Sequence, residues 1–92
     1  MEESNVKLCN EVREDFQIPP YASNDTIGRY IEEGKAYFCQ LVPGCDPDGD
    51  TVYRSLLKNY AYYAYHHSVN DFLENYKNAI LTWQLHIEVP EL

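Results

Sequence analysis

Basic residues are scarce in this 92-residue chain: seven Lys and Arg stand against fifteen Asp and Glu, a net charge of −8 at neutral pH. A surface with that balance repels phosphates, which argues against a DNA reader or a membrane-surface binder. It is compatible with a wall that DNA slides past without sticking, and equally with acidity that only keeps the protein soluble. The deficit is uneven, with eleven acids and four bases in residues 1–50 (−7) but four and three in residues 51–92 (−1). Cysteine is also sparse. Cys9, Cys39 and Cys45 make an odd number with no framework spacing, so reduced thiols in a cytoplasmic compartment are expected. No apolar run is long enough to span a bilayer, and the first twenty residues, charged throughout, resemble no signal peptide.

Motifs that carry chemistry are missing as well. The chain has no C-x-x-C, no H-x-x-x-H, no glycine-rich phosphate loop and no nucleophile elbow. The acidic loop Asp46-Pro47-Asp48-Gly49-Asp50 starts like a calcium loop. However, positions six and twelve, where glycine and a bidentate glutamate are required, hold Thr51 and Leu57. A helix-capping turn is the expectation there. His66 and His67 are sequence neighbours and point about a hundred degrees apart on a helix, so they cannot easily share a metal. Cys9 and Cys39 sit in or beside apolar arcs, and Cys45 has no base near it in sequence. Glu14-Asp15 and Glu32-Glu33 are neighbours on solvated faces. We therefore expect no enzyme, no metal and no cofactor.

What the chain does have is aromatic surface: nine tyrosines against three phenylalanines and one tryptophan, within an apolar share of 45%. Tyrosine buries its ring and keeps its hydroxyl wet, which suits partly solvated contacts. The length and ordinary composition predict a single globular domain over 1–92. Helical spacing places Leu8, Cys9, Val12 and Phe16 on one side of a segment near 4–16, with Ser4 or Asn5 as cap. Ile18-Pro19-Pro20 then stops any helix. A second helix over 24–41, capped by Ser23 or Asn24, carries Ile27, Tyr30, Ile31, Gly34, Phe38 and Leu41 in one arc. Gly34 inside that arc predicts a close approach by another helix, since glycine costs roughly 1 kcal/mol there relative to alanine.

Asp50 is the expected cap of a third helix near 51–66. Its buried face is expected to include Val52, Tyr53, Leu56, Leu57, Tyr60, Tyr63, Ala64 and His67. A fourth helix near 70–86, capped by Ser68 or Asn70, would bury Phe72, Leu73, Tyr76, Ala79, Ile80 and Trp83. Residues 87–92 are expected to be an extended or mobile tail. The result is an all-α bundle of about four helices around a central antiparallel hairpin, with its core in residues 5–86. Tyr62 and Tyr65 fall off the buried face beside Arg54 and Lys58, while Leu81 and Leu85 project from another side. These six residues are the candidate subunit interface.

The order of elements resembles the small head–tail connector (head-completion, or adaptor) proteins of long-tailed phages and prophages. The resemblance is carried by Val12-Arg-Glu-Asp-Phe-Gln-Ile18, by Asp25-Thr-Ile-Gly-Arg-Tyr-Ile-Glu-Glu-Gly-Lys-Ala-Tyr-Phe38 and by Tyr53-Arg-Ser-Leu-Leu-Lys-Asn-Tyr60. Asp71-Phe-Leu-Glu-Asn-Tyr76 and Ile80-Leu-Thr-Trp-Gln-Leu85 complete it. It covers about residues 5–86 and consists of hydrophobic-pattern motifs, not catalytic signatures. It implies an all-α subunit of a ring, typically dodecameric, under the phage portal. That ring extends the DNA channel without sequence-specific binding and docks neck or tail proteins. It further implies a virion protein made in the host cytoplasm, with no catalytic set and no cofactor. A helical adaptor or regulatory domain that binds a host protein would share the same charge and tyrosines. A nucleic-acid binder would instead show strong, salt-dependent DNA affinity.

Overall fold

A computed structural model describes residues 3–88 of the chain. Five helices appear in order: α1 (Glu3–Asp15), α2 (Asn24–Leu41), α3 (Thr51–Tyr65), α4 (Val69–Asn75) and α5 (Lys77–Glu88). No strand occurs among the described residues, so the fold is all-α, as expected. The caps of the two longest helices follow local chemistry. The Ser23 hydroxyl accepts from the Thr26 N–H at the start of α2, and the Asp50 carboxylate accepts from the Tyr53 N–H at the start of α3. Neither Ser4 nor Asn5 caps the first helix, which already includes Glu3. Asn5 is instead buried, donating to Glu32 and accepting from Lys35 on α2.

α2 and α3 form the central antiparallel hairpin. Phe38 meets Tyr53 near the connection, and Gly34 lies against Leu57 and Tyr60 further along. A Cβ added to Gly34 would stand 2.8 Å from both Leu57 Cδ1 and Tyr60 Cδ1, the close approach that the glycine's position predicted. The Tyr60 hydroxyl then reaches across to donate to Glu33 Oε1 at 2.8 Å. α1 packs on both helices, antiparallel to α2 and parallel to α3, with Leu8, Cys9 and Val12 fully buried.

Two helices end on left-handed residues that are not glycine. Gln17 has φ 53° and His67 has φ 57°. In each case the next N–H bonds five residues back, Ile18 to Arg13 O at 3.0 Å and Ser68 to Tyr63 O at 2.8 Å. These are Schellman closures, which satisfy carbonyls at a helix end. The first is reinforced by the Arg13 guanidinium, which donates to Pro19 O, Ala22 O and Asn24 Oδ1 at 3.0, 2.8 and 2.7 Å. One side chain thus holds the whole proline linker against α1.

The expected fourth helix is two helices. Tyr76 (φ −105°, ψ 8°) interrupts it, although hydrogen bonds continue on both sides, Tyr76 N–H to Phe72 O and Ile80 N–H to Tyr76 O. The break lets Tyr76 stack on Phe72 (4.8 Å) and donate to Asn59 Oδ1 at 2.9 Å. Beyond it, Trp83 stacks on Tyr53 at 5.3 Å and donates to Asp50 Oδ2 at 2.9 Å. Asp50 therefore caps α3 with one oxygen and anchors α5 with the other. Ser68 stands at the cap position of α4 but bonds to His66 O instead. Three expected core members lie outside: Val52 and Ala79 are exposed, and His67 is exposed in its turn. The helix also continues to Glu88, into the segment expected to be a tail, and residues 89–92 of that tail lie outside the described residues.

Candidate subunit interface

The six candidate residues do not form one patch. Arg54, Lys58 and Tyr62 recur every four positions along α3 and so share a face, which α1 occupies. Arg54 donates to both Glu11 oxygens, Nε to Oε1 at 3.0 Å, and its Nη1 reaches Asp48 Oδ1 at 3.1 Å. Lys58 Nζ lies 3.2 Å from Glu11 Oε1 and 2.8 Å from Asp15 Oδ2. Tyr62 stacks on Phe16 with centroids 4.3 Å apart and planes 12° from parallel. These side chains are largely covered, 17% exposed at Arg54 and 18% at Lys58. The cations expected to border exposed tyrosines are joined to acids of their own chain, and Tyr62 is half-buried.

Mutual charge stabilisation marks this seam. The Arg54 hydrogen bond, more than the opposing effect of burial, pulls the Glu11 carboxyl down to about 2, with Lys58 helping. Arg54 is raised by Glu11 first, with burial opposing and Asp48 adding to the rise. Burial would lower Lys58, but its bonds to Asp15 and Glu11 outweigh it and the net shift is upward.

Tyr65 is also half-buried, packed on the core with its ring edge-on to His66 at 5.1 Å. Leu81 and Leu85 differ from the other four. Each is 52% exposed on the outer side of α5, whose Ile80 and Trp83 face the core. Another face of α5 borders a groove of about 510 Å³ lined by Asp50, Val52, Asn78, Ala79, Thr82, Trp83 and His86. Leu81 and Leu85, four residues apart, share a different face of α5 and are not part of that lining. Val52, 54% exposed, forms the groove's other wall. Val52 was missed as a surface residue because it sits at the edge of the α3 apolar arc, about a hundred degrees before Tyr53. Its place in the first turn, beside the Asp50 cap, was the available signal.

The acidic loop is occupied with backbone and ion-pair duties. Asp46 Oδ1 accepts from the Asp48 N–H at 3.0 Å, Asp48 pairs with Arg54 and Asp50 caps α3. Among the described residues, no three of His, Cys, Asp and Glu converge on a point that could hold a metal ion. Nor is any described helix long and apolar enough to cross a membrane. The chain matches no protein family, no curated protein and no solved structure.

Proposed function

We propose that this chain is a non-enzymatic structural subunit of a phage virion, a head–tail connector that forms a ring under the portal. In this role it is made in the bacterial cytoplasm and extends the DNA channel, and its ring docks neck or tail proteins. The observation that carries the proposal is the outer side of α5. Leu81 and Leu85 are large apolar side chains more than half exposed on one face of α5, and Val52, similarly exposed, lines a groove along the same helix. Such a patch on a small acidic bundle suits contact with a neighbouring subunit. The net charge of −8 suits a channel wall that does not retain DNA. Arg54, Lys58 and Tyr62 have a different part, holding α1 in place, and Tyr65 lies at the bundle surface.

Electron microscopy of the protein mixed with its cognate portal tests this directly. Rings should form on the portal, and the double variant Leu81→Gln/Leu85→Gln should not form them. Unchanged assembly by that variant would remove α5 from the interface, and absence of rings with the wild-type chain would remove the connector role. A helical adaptor for a host protein is the second reading, favoured by the groove beside Trp83, which is concave enough to accept a partner's side chains. Genes for portal, capsid and tail beside this one support the connector, and their absence supports the adaptor.

A further inference from the structure

Two of the three cysteines meet at the end of the central hairpin. α2 finishes at Leu41, and the segment Val42-Pro43-Gly44-Cys45 turns back on itself through a bond from the Cys45 N–H to Val42 O at 3.2 Å. Proline second and glycine third, with Gly44 at φ 81°, are the signature of a type II turn. That turn returns Cys45 to the last turns of α2, where its sulfur lies 3.7 Å from Cys39 Sγ. A disulfide bond is about 2.05 Å long, so the sulfurs need to approach by roughly 1.7 Å, within reach of side-chain rotation. Cys39 is exposed, whereas Cys45 is half-covered and lies over the buried Tyr53 hydroxyl.

We propose that Cys39 and Cys45 form a reversible dithiol site, which low-molecular-weight disulfides convert to an intrachain disulfide. The exposed Cys39 thiolate attacks one sulfur of the reagent. The reagent's S–S bond breaks, and its first thiol leaves with the proton that Cys39 gave up. Cys45 then loses its proton and attacks the Cys39 sulfur of the mixed disulfide, expelling the second reagent thiol, which takes that proton. Two protein thiols are oxidised by two electrons and one reagent disulfide is reduced to two thiols. Burial raises the Cys45 thiol above its usual range, which makes Cys39 the first to react. The closed form ties the end of α2 to the loop that carries Asp48 and Asp50.

The test is to incubate the native full-length chain with oxidised glutathione and follow it by mass spectrometry. The intact chain should lose two hydrogens, with the loss on the tryptic peptide 36–54, which contains both cysteines. Cys45→Ser should stop at a stable glutathione adduct on Cys39. Cys39→Ser should react roughly tenfold or more slowly than wild type. Persistent adduct on the wild-type chain, a disulfide between two chains, or equal reactivity of Cys39→Ser would each overturn the proposal. Circular dichroism on both serine variants shows whether they keep the native helix content.

Discussion

Single residues in this bundle are decided by what stands opposite them. Gly34 is the clearest case. Alanine there gains about 1 kcal/mol of helix propensity, but its methyl would meet Leu57 and the Tyr60 ring at 2.8 Å. Tyr60 is held by its bond to Glu33 and by packing on Phe38 and Phe72, so the ring cannot retreat freely. We expect Gly34→Ala to destabilise the chain by about 1–2 kcal/mol in urea unfolding, and Gly34→Val by more. A neutral or stabilising alanine would mean that the α2–α3 contact is looser than described. His67 presents the opposite case. It is exposed and held in left-handed geometry that costs an L-residue roughly 1 kcal/mol. His67→Gly should therefore raise stability by about 0.5–1 kcal/mol, with a rise in the thermal midpoint as the readout.

At the scale of elements, α1 is fixed to α3 by a seam that is ionic at one end and aromatic at the other. Glu11 bridges Arg54 and Lys58, and Phe16 covers Tyr62. The folded pKa of Glu11, about 2, lies below the ordinary unfolded value of about 4.3. Its contribution is therefore complete above pH ~4.3 and is lost as pH falls through 2. Because the Glu11 side chain is 30% exposed, solvent screening reduces that contribution to on the order of 1–2 kcal/mol. Glu11→Gln should be less stable than wild type at neutral pH by about that amount. The two chains should converge as acid titration of unfolding approaches pH ~2. A constant gap across the whole range would show that packing, not charge, carries the effect.

On the scale of the whole molecule, aromatic packing organises the interior and leaves one side of α5 without a partner among the described residues. Phe38 contacts the rings of Tyr37, Tyr53, Tyr60, Phe72 and Trp83, linking α2, α3, α4 and α5 through one side chain. Nothing in that network requires Leu81 or Leu85, whose exposure means that they contribute little to folding. The double variant Leu81→Gln/Leu85→Gln should unfold within about 0.5 kcal/mol of wild type. Combined with loss of rings on the portal, that result separates an assembly role from a folding one. A large loss of stability would instead make α5 a structural element whose leucines support the core.

The all-α class, the hairpin, the proline stop and the Ser23 and Asp50 caps were legible in the chain because they depend on local periodicity and backbone chemistry. Gly34 was legible for the same reason, since an isolated glycine in an apolar arc implies close approach. The division at Tyr76 was not, because Phe72, Tyr76, Ile80 and Trp83 keep helical spacing through it and no glycine or proline marks it. It arises from tertiary demands, with Tyr76 drawn to Asn59 and Trp83 to Asp50. The candidate interface divides in the same way. Periodicity placed Leu81 and Leu85 off the core stripe, and they are exposed. It also placed Arg54, Lys58 and Tyr62 off the core stripe. Which of those off-core faces would be covered depended on where α1 docked, and that was decided by Glu11, Asp15 and Phe16, all more than thirty-five positions away in the chain. Spacing along one helix defines its faces, but only packing decides which of them meet solvent.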